Sequence, residues 1–214
     1  VVEMGLSPYE ATLRAMRDFT ARRAAETPDE LWLLEHPPVY TLGLAADASH
    51  GPKSGGAIPV LQVERGGEIT YHGPGQAVLY TLVDLARRGI KVKQFVAMLE
   101  QSVIDLLGAR AERKPGAPGI YVGGAKVAAL GIRVSRGCAF HGLALNVDMD
   151  LESDLGIDSI KRVEILSAVQ EKLPQAPKVK PEHLGTLRTL RQIVAYLSQS
   201  EQAVSVPQPA ALSD

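Results

Sequence analysis

The chain has 214 residues, 45% of them hydrophobic and 22% charged, so it can bury a substantial core in one large domain or in one domain with a small module. Its net charge of -1 and its pI of about 6.6 leave no overall positive field for nucleic acid or for an anionic membrane surface. No apolar run approaches the roughly 20 residues that cross a bilayer, and no signal-peptide pattern is found, so we expect a cytoplasmic protein with no membrane or nucleic-acid partner.

Periodicity in the first part of the chain predicts one helix and several strands. Apolar side chains at three- or four-residue spacing among arginines are typical of an amphipathic helix, and short β-branched, aromatic and aliphatic runs are typical of strands. The predicted elements are a helix at 8–25, strands at 30–35, 39–42, 58–64 and 76–84, and an exposed loop at 46–56. The run at 76–84 is too apolar for a strand with one side in solvent, so we expect it to be central in a sheet.

The following residues predict a second helix, three more strands and then a change of character. An apolar stripe that ends at Gly108 predicts the helix, and tight glycine turns join the strands. The predicted ranges are a helix at 92–107, strands at 119–122, 126–134 and 140–147, and later helices at 159–173 and 190–197. We therefore predict an α/β domain with a largely antiparallel sheet at 1–150, a helical segment at 151–199 and an unstructured Ala/Pro-rich tail at 200–214.

The segment from Arg65 to Gln76 reads RGGEITYHGPGQ. Its glycines let the backbone approach a ligand closely, and its polar side chains suit the binding of an acyl carbonyl. A glycine-rich hairpin with a few polar core groups is the alternative on composition alone. The full string resembles the signature of LipB-type octanoyltransferases (lipoate-protein ligase B), which move an octanoyl group from acyl carrier protein to a lysine of lipoyl domains.

The resemblance extends through further strings in the family's order, at 35–43, 117–122, 126–134 and 136–151. It implies the biotin/lipoate protein ligase-like fold for residues 1–151, with a mixed, largely antiparallel sheet and flanking helices. It also implies octanoyl-acyl carrier protein as donor and, as acceptors, the lipoyl domains of 2-oxoacid dehydrogenases and of the glycine cleavage protein, with no cofactor for the transfer. The implied substrate-binding residues are Arg65, Gly66, Gly67, Glu68, Ile69, Thr70, Tyr71, His72, Ala129, Leu130, Gly131, Gly142, Leu143 and Ala144.

The resemblance implies a catalytic role for Lys126, whose ammonium would lower the pKa of a nucleophilic cysteine. In the family that cysteine lies in a Pro-Cys-Gly segment after the string Asn-Val-Asp-Met-Asp-Leu, but here the string runs into Glu152 and no second cysteine is present. We interpret Cys138 as a small core residue, with a substitute nucleophile as the alternative. Without a thiolate partner, Lys126 has a solvated strand-end lysine as its alternative, and we expect impaired transfer.

The string from Asp150 to Leu166 resembles the segment around the prosthetic-group serine of acyl carrier proteins of polyunsaturated fatty acid and polyketide synthases. The resemblance covers about 149–198 and implies 4'-phosphopantetheine on Ser159, added by a phosphopantetheinyl transferase. A serine at a helix start lies beside free backbone amides, which suit a phosphodiester, although an ordinary helix cap is the alternative. The first carrier helix has no counterpart here, so this segment would be a partial, all-α carrier.

Four functional hypotheses follow. The first is an octanoyltransferase-family protein with impaired transfer, and the second is a phosphopantetheine-bearing carrier attached to an inactive transferase domain. A chimera with unused motifs is the third. A lipoate or biotin ligase is the fourth, but we find no GRGRxG-like or lysine-bearing nucleotide segment and expect no ATP dependence. The five histidines and one cysteine show no metal-ligand spacing, so no metal is expected either.

Overall fold

The computed structural model describes the chain in two compact units, 1–147 and 148–214. In the first unit it describes residues 1–47, 57–107 and 111–147. In the second unit it describes residues 148, 152, 163, 166–167, 170–171, 177–180, 183 and 186–197. The predicted tail at 200–214, the larger part of the predicted helix at 159–173 and nearly all of the predicted loop at 46–56 therefore lie outside the described residues.

The first unit is an α/β domain with two sheets. Its helices are α1 (Tyr9–Arg22), α2 (Leu85–Arg88) and α3 (Val92–Leu107). Its strands are β1 (Val2–Leu6), β2 (Glu30–Glu35), β3 (Val39–Leu42), β4 (Val60–Gln62), β5 (Ile69–His72), β6 (Gln76–Asp84), β7 (Glu112–Lys114), β8 (Ala117–Val122), β9 (Ala125–Ser135) and β10 (Cys138–Asn146). Seven strands form the larger sheet in the order β1-β2-β6-β10-β9-β8-β7, and the smaller sheet has the order β4-β3-β5.

The strand pairings make the sheets mixed and largely antiparallel, as predicted. β1 pairs with β2 and β3 pairs with β4 in parallel, whereas the other pairings of the described strands are antiparallel. Glycines with positive φ form the β8–β9 turn, and Arg136 and Gly137, with φ values of 50° and 80°, form the β9–β10 turn. Two consecutive residues with positive φ match the right-handed twist of the strands that they join.

The core of the first unit lies between α1 and the larger sheet. β6 lies between β2 and β10, which confirms that it is a central strand. The apolar stripe of α1 faces the sheet because Tyr9, Leu13 and Met16 recur at the helical period. The core cluster consists of Tyr9, Leu13, Met16, Trp32, Leu34, Val39, Val63, Val78, Tyr80, Leu82, Phe140 and Ala144.

An ion cluster holds the chain between α1 and β2 against the end of β6. The Asp29 carboxylate accepts hydrogen bonds from Arg23 at 2.5 Å, Arg87 at 2.8 Å and Arg88 at 2.6 Å. It also accepts one from the backbone N–H of Asp84, at 2.8 Å. Since only 9% of the Asp29 side chain and 3% of the Arg23 side chain are exposed, this pair is a buried one.

Several short elements were not predicted. β1, β5, α2 and β7 had no counterpart in the sequence-based prediction, and the strand predicted at 58–64 contains only Val60–Gln62. β7 consists of Glu112, Arg113 and Lys114, all exposed, so it has no apolar alternation to detect. α2 is a single turn whose ends are set by the Asp84 side chain, which accepts from the Arg87 N–H, and by the left-handed Gly89.

In the second unit, α4 (Leu190–Leu197) agrees with the helix predicted there, and its Ile193 is buried. The described residues of the predicted 159–173 helix are helical: Val163, Leu166, Ser167, Gln170 and Glu171. They line a cavity of about 440 Å³ together with Lys178, Val179 and Lys180. These fragments do not confirm an all-α carrier segment. Among the helices in the described part of the chain, none is long and apolar enough to cross a membrane.

Candidate functional site

A small cavity in the first unit lies where the glycine-rich segment meets the larger sheet. It is lined by Tyr9, Arg65, Thr70, His72, Val78, Tyr80, Ala129, Leu130, Gly131, His141, Gly142, Leu143 and Ala144. Strand pairing brings these distant residues together, since Gly142 of β10 lies opposite both Tyr80 of β6 and Gly131 of β9. The cavity has a volume of about 20 Å³, which is room for about one water molecule.

The glycine-rich segment is attached to both sheets through its first residues. The Gly66 N–H donates to the Ile132 carbonyl of β9 at 3.0 Å, and the Leu44 N–H, next to β3, donates to the Arg65 carbonyl at 2.9 Å. A Cβ at Gly131 would lie only 2.7 Å from the Gly66 carbonyl oxygen. Residue 131 is therefore a position where the approach of another backbone requires glycine.

Arg65 is a buried cation, 6% exposed, with neutral hydrogen-bond acceptors. Its Nη2 donates to the carbonyl and the hydroxyl of Thr41 at 2.9 and 2.8 Å and to the Glu68 carbonyl at 3.0 Å, and its Nη1 donates to the Gly66 carbonyl at 2.9 Å. Burial lowers the pKa of the guanidinium from its usual value, but arginine remains charged in proteins. Among the described residues, no carboxylate forms an ion pair with it. A buried charge of this kind attracts a ligand that carries negative charge or electron-rich oxygen.

Two hydrogen bonds of His36 fix the side chain of Tyr80, which lines the cavity from β6. His36 Nδ1 lies 2.6 Å from the Ser7 carbonyl and therefore donates to it. Burial lowers the pKa of His36, so the ring is neutral and its Nε2 accepts from the Tyr80 hydroxyl at 2.7 Å. Burial also raises the pKa of Tyr80 well above its usual value and that of Tyr9 to about 12, so both phenols are protonated.

His72 is held in a second network. Its Nδ1 donates to Gln76 Oε1 at 2.7 Å, and the Gln76 amide in turn donates to Asn146 Oδ1 at 3.0 Å and to the Tyr71 carbonyl at 3.2 Å. Burial lowers the pKa of His72 to about 3. The ring is therefore neutral at physiological pH, and its second nitrogen, Nε2, is an acceptor that lies 3.4 Å from Thr41 Oγ1.

His141 differs from the other polar residues of the cavity wall. It is 1% exposed, its φ is 63°, and neither ring nitrogen has a hydrogen-bond partner among the described residues. Its ring stacks on Phe140 at a centroid distance of 5.0 Å and meets Tyr80 edge-on at 6.0 Å. Burial lowers the pKa of His141 to about 4, so the ring is neutral and keeps one N–H donor and one acceptor nitrogen.

The structure places nine of the fourteen predicted substrate-binding residues around the cavity: Arg65, Thr70, His72, Ala129, Leu130, Gly131, Gly142, Leu143 and Ala144. Five do not line it, namely Gly66, Gly67, Glu68, Ile69 and Tyr71, and their backbone shapes the segment instead. Sequence reasoning missed four lining residues, Tyr9, Val78, Tyr80 and His141. Tyr9 lies within the helix predicted at 8–25, and His141 directly precedes the predicted Gly142, which was the one available signal.

Lys126 and Cys138 do not line the cavity and lie far apart. The Lys126 ammonium donates to the Pro118 carbonyl at 3.2 Å and lies 5.3 Å from the centre of the Tyr121 ring. Cys138 is buried, as we interpreted it, and pairs with Ser135 at the far end of β9. Ser135 lies nine positions along β9 from Lys126, roughly 30 Å at about 3.3 Å per residue. Cys138 is therefore not positioned as a partner of Lys126, and Ser159 lies outside the described residues.

Comparison with known proteins gives concordant matches. The model of the lipoyl protein ligase A/B catalytic domain matches residues 8–204. An octanoyltransferase of Dechloromonas aromatica is 58% identical over 154 residues, which are 71% of this chain and 75% of that protein. An octanoyltransferase of Thiobacillus denitrificans is 61% identical over 155 residues, 71% of each. A solved structure of a bi-partite lipoate protein ligase and its E2 lipoyl domain from Thermoplasma acidophilum matches with a TM-score of 0.52 and 15% identity, over 94% of this chain and 83% of that one, which supports the fold alone.

Proposed function

The chain belongs to the octanoyltransferase family, with a lipoyl protein ligase A/B catalytic domain, and from this premise we propose that its cavity binds an octanoyl group. The group would arrive as a thioester on acyl carrier protein, and its acceptor would be a lysine of a lipoyl domain from a 2-oxoacid dehydrogenase or the glycine cleavage system. The observation that carries this proposal is the buried Arg65 guanidinium, which has no ion-pair partner among the described residues and lines a cavity whose wall also contains small and apolar residues.

The chemistry of the wall suits an acyl thioester. Attack on the thioester carbon moves negative charge onto the carbonyl oxygen, and a fixed buried cation stabilises that charge more than water does. Val78, Leu130 and Leu143 provide an apolar surface for the alkyl chain. No cofactor is needed for this transfer, because the thioester itself is the activated group.

We propose further that transfer by this chain is slow. The family's covalent route needs a thiolate, and Cys138 is buried about four strand residues from Gly142, roughly 13 Å along β10. The proposed role of Lys126, to lower the pKa of a nucleophile, has no second cysteine to act on in this sequence. Transfer would then require the acceptor lysine to attack the thioester carbon directly, so that an amide forms, the C–S bond breaks and the carrier thiol leaves with a proton.

A binding and transfer experiment tests both parts. The full chain is mixed with octanoyl-acyl carrier protein, with and without a lipoyl domain, and intact masses are recorded. We expect saturable binding, no octanoyl adduct on Cys138, and octanoylation of the lipoyl domain only slightly above the uncatalysed rate. Arg65→Met should weaken binding about tenfold or more, since the ligand loses the buried positive charge beside it, whereas Arg14→Met, at an exposed position of α1, should not.

Three outcomes would overturn these statements. Absence of binding by the unmodified chain would refute the octanoyl site. Equal binding by the Arg65 and Arg14 variants would remove Arg65 from it. An octanoyl adduct on Cys138 that hydroxylamine releases, together with rapid transfer, would show that this cysteine acts as nucleophile and that the activity is not impaired.

As a second candidate we propose a carrier role for the C-terminal unit, supported by the sequence around Ser159 alone. In this proposal a phosphopantetheinyl transferase attaches 4'-phosphopantetheine to the Ser159 hydroxyl, with release of adenosine 3',5'-bisphosphate from coenzyme A. Incubation with coenzyme A and such a transferase, followed by intact-protein mass measurement, tests it. A gain of one phosphopantetheine that Ser159→Ala abolishes would support the carrier role, and an unchanged mass would refute it.

A further inference from the structure

His141 adopts a backbone conformation that its residue type rarely has. A φ of 63° in a residue other than glycine costs about 1–2 kcal/mol and persists only where the surrounding structure enforces it. Here the Thr81 hydroxyl donates to the His141 carbonyl at 3.0 Å, and the ring lies against Phe140 and Tyr80. The conformation puts the ring in the wall of the cavity, where it is 1% exposed.

The hydrogen-bond donors of Tyr80 and His72, which also line the cavity, point to other protein groups and not into the cavity. The Tyr80 hydroxyl donates to His36 Nε2 at 2.7 Å, and His72 Nδ1 donates to Gln76 at 2.7 Å. Arg65 Nη2 already donates hydrogen bonds to the Thr41 and Glu68 carbonyls. In contrast, His141 has two buried ring nitrogens and no partner for either among the described residues. A buried donor without a partner costs about 1–3 kcal/mol, so an oxygen in the cavity would relieve that cost.

We propose that the His141 N–H is a binding group of the acyl site and donates a hydrogen bond to the carbonyl oxygen of the bound acyl thioester. This inference rests on the octanoyl site proposed above and adds a residue that the predicted substrate-binding set lacked. Arg65 and His141 then approach the same oxygen, the first with a charge and the second with a neutral donor. The apolar side chains of the wall remain for the alkyl chain.

The test uses the full chain, labelled with ¹⁵N in its histidine rings, and S-octanoyl-pantetheine labelled with ¹³C at its carbonyl carbon. We expect saturating ligand to shift the ring nitrogen signals of His141, while those of His36, whose two nitrogens are already hydrogen-bonded, stay in place. His141→Phe keeps an aromatic ring but removes the donor. It should weaken binding about tenfold, and the carbonyl ¹³C signal of the bound ligand should move toward its value in an apolar solvent.

His141→Asn is the matched variant, because asparagine tolerates positive φ and keeps an N–H donor. We expect its affinity to stay within about threefold of the unmodified chain, since one neutral donor replaces another. If His141→Phe does not fold, as judged by Trp32 fluorescence, the ring signals of the unmodified chain and the asparagine variant decide the matter.

The outcomes separate this inference from the proposed function. If the unmodified chain does not bind the ligand, the octanoyl site and the role of His141 both fail. If it binds while the His141 ring signals stay unchanged, or if both variants bind equally well with the same carbonyl signal, the octanoyl site stands and the role of His141 is refuted. In that case the ring is a core group or the partner of an ordered water only.

Discussion

Gly131→Ala should separate the glycine-rich segment from β9. The new Cβ would lie 2.7 Å from the Gly66 carbonyl oxygen, whereas ordinary contacts begin at 3.4 Å, so one backbone must move by about 0.7 Å. Such a shift strains or breaks the 3.0 Å hydrogen bond from the Gly66 N–H to the Ile132 carbonyl. Overpacking costs about 1–3 kcal/mol and the lost hydrogen bond about 1 kcal/mol. Alanine also lowers the conformational entropy of the unfolded chain, which offsets up to about 1 kcal/mol of this cost. We therefore expect the unfolding free energy to fall by about 2 kcal/mol.

The assay is urea unfolding followed by the fluorescence of Trp32, the single tryptophan, which is buried in the core of the first unit. Gly66→Ala is the matched control, since a Cβ at residue 66 meets its nearest neighbour, the Ile132 carbonyl, at an ordinary 3.6 Å. The control should change the unfolding free energy by less than about 0.5 kcal/mol. Equal stability and equal octanoyl-pantetheine affinity of the two variants would show that residue 131 does not lie under the segment as described.

Three further predictions concern buried polar groups. Tyr80→Phe leaves the buried His36 Nε2 without its donor and should lower the unfolding free energy by about 1–3 kcal/mol. The control Tyr71→Phe, at a side chain that is 43% exposed, should change it little. Equal effects of the two variants in urea unfolding would contradict this. The folded-state pKa values of His72 and His141, about 3 and about 4, lie below the unfolded value of 6.5, so their contribution to stability is complete above pH 6.5 and is lost as the pH falls toward the folded values. Between pH 7 and 5.5 the two should together lower the free energy of unfolding by about 2–3 kcal/mol, and a flat profile in urea titrations at several pH values would refute this. Asp29→Asn breaks a buried arginine pair and should cost about 3 kcal/mol, measured by the same unfolding transition, and a loss under 1 kcal/mol would mean that the pair is solvent-screened.

The sequence predicted the longer elements well because their apolar patterns are strong. The helix at 92–107 and the strand at 76–84 carry dense apolar repeats, and the structure has both at those bounds. Short elements without such repeats were missed. β5 at Ile69–His72 lies inside a glycine-rich motif, and its strand character comes from pairing with β3, a contact that no local pattern contains.

For the site, the family resemblance located the backbone of the cavity and missed several of its side chains. The predicted ranges on β9 and β10 are those that cross-strand register brings opposite each other, with Gly131 facing Gly142. Tyr9 and Tyr80 have the spacing of ordinary core residues, so nothing in the sequence predicts that they line the cavity. The place of the His141 ring in the cavity wall goes with a positive φ at this residue, which only the three-dimensional structure reveals.

The attachment of the glycine-rich segment to two different sheets constrains how a ligand enters. The proposed octanoyl ligand needs far more room than one water, so its binding would require the cavity of about 20 Å³ to widen. The segment is held on two sides, because the Gly66 N–H is bonded to β9 while Leu44 and Thr41 hold Arg65 next to β3. If both attachments open in one event, the amide hydrogens of Leu44 and Gly66 should exchange with solvent at one common rate. If the segment leaves β9 alone, the Gly66 amide should exchange faster than that of Leu44.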